Sequence, residues 1–244
     1  MAPQWRRFLS GTVRSGNLWV LIPVNACPDP AHWVDAEGRI AGGSMAEVST
    51  PAAGMLLVAT PALEDPHFAD TVVLVIDADD EGALGVVLNR PTSVPVGEVL
   101  ETWAGVVAEP DVLFAGGPVG RDGALALGVL PPAPDGAPGE PGERVTAAPV
   151  GFRAVWGDVG LLDLDTPVEL LAEGLAGIRI FAGYSGWGPG QLEAEIEEGS
   201  WYVVPGEAAD VFRPSTDTLW REVLRRQPGD LAWHSTRPSE PGLN

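Results

Sequence analysis

Glycine and proline interrupt this chain so often that no long regular element can form in it: 31 glycines and 24 prolines are spread through 244 residues. Proline fixes φ and removes a backbone donor, while glycine opens turn conformations. What fits between such breaks is a set of short strands and short helices joined by tight turns. The length suffices to bury a core without a disulfide or a structural metal.

Two stretches stand apart in composition. Residues 1–53 read as an N-terminal extension. Its first 44 residues carry four arginines, three acids and three of the nine tryptophans (Trp5, Trp19 and Trp33), with no sustained periodicity. The expected reading is a flexible tail, or an upstream start with Met45 as the natural initiator. The apolar run at 18–24 is far short of the roughly 20 residues a spanning helix needs. Pro23 breaks it and Asn25 fits a cleavage site poorly, so a secretory signal is not expected. Residues 54–244 read as a single domain. Within it, residues 131–142 hold five prolines and three glycines, which predicts an exposed, stiff loop.

The rest of the domain is densely patterned. Residues 72–76 and 84–88, separated by an acidic turn, predict a β-hairpin with a long loop. Further strands are predicted at 55–59, 112–115, 124–129, 161–164, 178–182 and 201–204. Val96, Val99, Leu100 and Trp103 share helical spacing. A helix over 168–176 is expected, capped by Thr166 with Pro167 at its first position. Others are expected at 191–198 and at 216–227, the last capped by Thr216 or Asp217. Strands and helices interleave without regular βαβ spacing, which favours an α+β fold over a doubly wound sheet.

All 14 basic side chains are arginine. Without lysine there is no Schiff-base chemistry, no P-loop lysine and no kinase lysine. The single cysteine, Cys27, excludes an internal disulfide, and His32, His67 and His234 show no metal-ligand spacing. From Met45 onward ten arginines face 31 acids, a balance of −21. Such a surface repels nucleic acid and anionic membranes at long range.

Several strings in the domain resemble the YqgE/AlgH family of bacterial proteins. They are Leu57-Val58-Ala59-Thr60-Pro61 with Asp65-Pro66-His67-Phe68, the segment from Gly82 through Asn89-Arg90-Pro91, and Phe114-Ala115-Gly116-Gly117-Pro118-Val119. Gly183-Tyr184-Ser185-Gly186-Trp187-Gly188-Pro189-Gly190-Gln191-Leu192-Glu193 and the C-terminal region from Leu219 belong with them. The resemblance implies an α+β fold around a strongly curved mixed β-sheet with short flanking helices. It brings no defined chemistry; some members are described as transcriptional regulators of exopolysaccharide synthesis.

The candidate ligand or partner residues are Asn89, Arg90, Gly116, Gly117, Tyr184, Trp187, Gln191 and Glu193. Arg90 follows a strand, where it can hold a carboxylate or phosphate or pair with a nearby acid. Gly116-Gly117 can offer backbone N–H groups to an anion or simply make a turn. Gly183-Tyr184-Ser185-Gly186 lacks glycine two residues after the serine, so it fails as a nucleophile elbow and reads as a tight glycine turn. Glu193 and Glu197 form a carboxylate ridge, with Glu193 placed to complement the helix dipole. Arg221, Arg225 and Arg226 form the domain's basic cluster, with Glu222 spaced to pair with Arg226. No catalytic residue, metal ligand or cofactor is assigned.

The expected function is a non-enzymatic, cytoplasmic regulatory or interaction protein, acting indirectly on transcription through a protein partner. Neither direct nucleic-acid contact nor membrane association is expected, and a small-molecule ligand stays open. Two alternatives remain: a small-molecule-binding enzyme of hydrolase type using Arg90, Glu193 and a distant histidine, and a direct DNA binder using the C-terminal arginines.

Overall fold

The computed structural model describes residues 50–132 and 148–236. Most of the N-terminal extension (1–53), most of the Pro/Gly-rich loop at 131–142 and the C-terminal Leu243-Asn244 lie outside the described residues.

The described residues build one ten-stranded mixed sheet, curled into a half-barrel, with a few short helices. The first half contains β1 (Met55–Ala59), β2 (Val72–Asp79), β3 (Gly82–Val87) and β10 (Trp201–Pro205), in the order β10-β1-β2-β3. The second half contains β6 (Val119–Val129), β7 (Phe152–Trp156) and β8 (Val159–Leu162). The long strand β9 (Gly177–Trp187) joins the halves, giving β3-β9-β6-β8-β7. β4 (Pro91–Pro95) and β5 (Val112–Ala115) pair with each other, and β5 adds to β9 as a parallel neighbour. Among the described residues no helix is long and apolar enough to cross a membrane.

The predicted hairpin forms as β2 and β3, paired from Val73↔Val87 to Asp79↔Gly82 with a register shift between Val75 and Asp77. Its sequence is a continuous β-branched run because both faces are covered. Leu74, Ile76 and Val86 enter the concave core. Val73, Val75 and Val87 pack on the convex side with Trp187, Leu192 and Trp201. The concave core draws Leu56 and Val58 from β1 together with Leu127, Val159 and Phe181 from the other half. Sharing one core across both halves is what a curled sheet does and a flat one cannot. The helices α4 (Ala208–Phe212), α5 (Leu219–Arg225) and α6 (Leu231–His234) add side chains to this core. The convex face of the second half packs under α1 (Val96–Val99), the 3-10 turn Glu101–Trp103 and α2 (Val168–Ala172). The helix α3 (Gln191–Glu197) covers the convex face of the first half.

Several local expectations change in three dimensions. The segment 183–187 is not a tight turn: β9 continues through it, paired with β3 at Ser185, Gly186 and Trp187. Gly183, at φ 71°, places a bulge within the strand. Inward Phe181 is followed by inward Tyr184, so the bulge changes which residues face the core. The turn itself comes later, at Gly188–Gly190. The helix expected from Val96 to Trp103 divides because Leu100 is extended, at φ −129° and ψ 77°. Pro167 precedes α2 rather than opening it, and the helix stops at Ala172. Neither Thr166 nor Thr216 nor Asp217 caps a helix by side chain; Thr218 stands before α5 with its hydroxyl on Glu222. β4, β7, α4 and α6 were not legible in the pattern, since each is four or five residues long and half-exposed.

β5 and β6 lie on opposite sides of β9, so the chain at Gly116–Pro118 must step over that strand. It does so backbone on backbone. A Cβ at Gly116 would lie 2.3 Å from the Gly183 carbonyl oxygen, and one at Gly117 would lie 2.3 Å from the Tyr184 carbonyl. The crossing is tied by Gly116 N–H donating to Ala182 O and Val87 N–H donating to Gly116 O, both at 2.9 Å. We expect Gly116→Ala to cost about 2–3 kcal/mol, since the obstacle is backbone and cannot swing aside. Gly188→Ala, whose nearest atom is 3.8 Å away, should cost under about 0.5 kcal/mol. Urea denaturation of both variants checks the contrast.

Candidate functional site

The sequence candidates fall into three places. Asn89 and Arg90 follow β3 and both grip the loop before β2. Asn89 Oδ1 accepts from Val72 N–H at 2.9 Å, and its Nδ2 donates to Asp70 O at 2.8 Å. Arg90 donates from Nη1 to Pro66 O and from Nη2 to Ala69 O, each at 3.1 Å. The guanidinium thus meets backbone carbonyls, not the acid that simple pairing anticipates. His67 sits in the same exposed turn, its backbone N–H on Asp65 Oδ1.

Gly116, Gly117 and Tyr184 meet at the crossing. Ser185 is buried there, and its hydroxyl donates to Gly116 O at 3.1 Å. That bond makes it a tie between the crossing loop and β9. Tyr184 is half-buried beside Gly120, and burial pushes its phenol above the usual range.

Trp187 and Gln191 gather around a residue the sequence reading passed over, Glu195. Trp187 Nε1 and Trp201 Nε1 both donate to Glu195 Oε2 at 2.9 Å, and Gln191 Nε2 donates to Oε1 at 2.9 Å. The Trp187 ring stacks with Phe68 at 5.9 Å and meets the Trp201 edge at 6.1 Å. Gln191 also accepts from Gly188 N–H, closing the turn that leads into α3. The signal for Glu195 is its spacing: four residues after Gln191 and three after buried Leu192, it lies toward the covered side of the helix. Glu193 is exposed, and no hydrogen bond or ion pair among the described residues joins it to Arg90.

The arginine cluster on α5 is largely turned onto the chain itself. Arg226 makes a two-pronged contact with Asp210, at 2.7 Å and 2.5 Å, and Asp210 is only 3% exposed. Asp210 also accepts from Glu207 N–H, while the Glu207 carboxylate is 3.5 Å from Arg226. The hydrogen bonds to Asp210 hold the Arg226 guanidinium above its usual range. Arg221 donates to Ser235 O at 3.0 Å, and Arg225 is exposed. Glu222 does not take up Arg226. It pairs with Arg213 at 2.8 Å and accepts from Thr218, and those contacts hold its carboxyl below the usual range.

Three substitutions test these assignments. Glu195→Ala leaves two indole N–H groups without their acceptor and should cost about 2–4 kcal/mol, while Glu195→Gln, which keeps an acceptor oxygen, should cost roughly half. Urea denaturation followed by tryptophan fluorescence reads both. Asp210→Ala removes the acceptor of a charged pair and of a backbone N–H, and should lower stability by about 2–3 kcal/mol in the same measurement.

Comparison with known proteins agrees with this architecture. The family model described as AlgH-like matches residues 56–232. A UPF0301 protein of Streptomyces coelicolor is 57% identical over 200 residues, which cover 82% of this chain and 98% of that one. A UPF0301 protein of Thermobifida fusca is 50% identical over 78% of this chain and 94% of its own. Among solved structures, a crystal structure of a Corynebacterium diphtheriae protein aligns with a TM-score of 0.68 at 34% identity, covering 78% of this chain and 94% of that one. The solution structure of the AlgH protein from Pseudomonas aeruginosa aligns with a TM-score of 0.52 at 26% identity, covering 79% and 98%. With strings, curled sheet and relatives in agreement, this chain belongs to the AlgH-like, or UPF0301, family of bacterial proteins.

Proposed function

We propose that this protein is a cytoplasmic regulator that acts by binding another protein, and so affects transcription indirectly. The observation that carries this reading is Trp233. It sits on α6 and is 77% exposed, while its neighbour His234 stacks on Tyr202 at 5.1 Å between ring centres. A large indole held outward on a braced helix is the kind of side chain that anchors protein interfaces, because little freedom is lost when it is covered. The flanking Asp230 and the overall charge of −20 favour a partner with a basic or neutral face.

Direct DNA contact draws less support. Arg226 is engaged by a buried carboxylate and Arg221 by a carbonyl, so two of the three C-terminal guanidiniums already have acceptors in the chain. Phosphate binding needs several cations presented together. Ser185 supports no acyl-transfer reading, since its hydroxyl is buried and hydrogen-bonded to Gly116 O.

Capture from a lysate of the native host tests the proposal. Wild-type bait should retain a stoichiometric partner, and Trp233→Ala should reduce its recovery at least tenfold with stability unchanged within about 0.5 kcal/mol. Equal recovery by both baits overturns the Trp233 surface. Binding to promoter DNA that weakens steeply with salt overturns the indirect route.

A further inference from the structure

Trp233 is the most exposed large apolar side chain among the described residues, and the helix end that follows it is pinned in place. Ser235 is buried, its hydroxyl donates to Ala232 O at 2.6 Å, and its carbonyl accepts from Arg221 Nη1 at 3.0 Å. Thr236 donates to Trp233 O twice, from its backbone N–H at 3.1 Å and from its hydroxyl at 2.7 Å. Residues three apart on a helical turn are neighbours. The chain therefore leaves α6 on the side that bears the indole.

What comes next in the sequence is Arg237-Pro238-Ser239-Glu240-Pro241-Gly242-Leu243-Asn244. Two prolines three residues apart favour the polyproline II conformation, whose three-residue repeat sets both rings on one side. At about 3.1 Å per residue, Pro238 can reach about 6 Å and Pro241 about 16 Å from Thr236. Folding back over a four-residue helix, itself about 6 Å long, needs no more than that. Proline rings in this conformation dock on aromatic surfaces because they are already ordered before they bind. Charge agrees. The chain is strongly acidic, yet α5, which packs against α6, exposes Arg225. That corner attracts Glu240 where most of the surface repels it, and Asp230 at the start of α6 suits Arg237.

We propose that residues 237–244 fold back and cover Trp233 in the free protein, with Pro238 and Pro241 against the indole, so that a partner must displace this segment to bind. The regulation rests on the Trp233 surface proposed above; the contact itself does not. A tether of so few residues gives an effective concentration of the order of millimolar. A proline–indole contact that would dissociate at about 1 mM between separate molecules is then about half formed. Cover of that strength weakens whatever binds Trp233 by roughly twofold.

The test is NMR on the full chain labelled with 13C and 15N, with the Trp233 resonances assigned by their loss in Trp233→Ala. In wild type the Trp233 ring protons should show nuclear Overhauser contacts to Pro238 and Pro241. Pro238→Ser with Pro241→Ser, in one chain, should abolish those contacts and shift the Trp233 indole N–H. A synthetic peptide of residues 237–244, added in trans, should shift the same resonance and bind this double variant about twofold more tightly than wild type. No contact in wild type, an indole N–H unmoved by the double substitution, or equal peptide binding by both proteins would each overturn the proposal. Contacts that pass between labelled and unlabelled chains in a mixture would assign the segment to a second copy and overturn it as well. All these readings need no partner. Equal partner recovery by wild-type and Trp233→Ala baits would therefore sink the partner surface while the intramolecular contact stood, and a missing contact would leave that surface untouched.

Discussion

The backbone of Gly116 and Gly117 rests on the backbone of β9, and the curled sheet is organised around that contact. β9 is the strand both halves use. Its C-terminal half pairs with β3, its N-terminal half with β5 on the same side, and β6 runs along the other side. The chain can reach β6 from β5 only by passing over β9, and there is no room for a side chain between the two backbones. Gly183 supplies the bulge beneath the crossing, Ser185 ties it from below, and Val87 ties it from the end of β3. The concave core that unites β1 with β8 follows from this arrangement.

An acidic chain without lysine uses its arginines as braces. Arg90 spans two carbonyls of one loop, and Arg226 takes both oxygens of Asp210. A lysine could reach either place but could not hold two acceptors in fixed orientation, because its charge sits on a single nitrogen. Glu195 does the converse, giving one carboxylate to two tryptophans and a glutamine. Charged groups that look like surface decoration in the sequence thus fasten α3 to β9 and β10, and α5 to α4. Arg179 departs from this pattern, since its fork is only partly occupied.

The strongest strands were legible because their residues are apolar on both faces. The run Val72-Val73-Leu74-Val75-Ile76 and the acidic turn after it can hardly be anything but half a hairpin. Trp187 and Gln191 were singled out in the sequence, while the carboxylate they both bond was passed over for Glu193. In the sequence Glu193, Glu195 and Glu197 look alike, and only packing against Trp187 and Trp201 separates them. The segment 183–187 misled for a related reason. Glycines at 183 and 186 signal a turn locally, yet hydrogen bonds from β3 and β6 on either side hold the chain extended.

By itself the sequence determined the class of element, because apolar periodicity and the spacing of glycine and proline act over a few residues. It also determined the acidic balance and the absence of lysine chemistry, which need no fold to be read. The tertiary structure alone decided which glycines carry a crossing, which glutamate receives two indoles, and which arginines have matching acceptors. Those outcomes depend on atoms brought together from far along the chain: Arg179 meets the carbonyl of Glu109, and Ser185 that of Gly116, each about 70 positions away. A hydrogen bond forms only when both groups arrive at one place at the right angle, and no local pattern encodes that arrival.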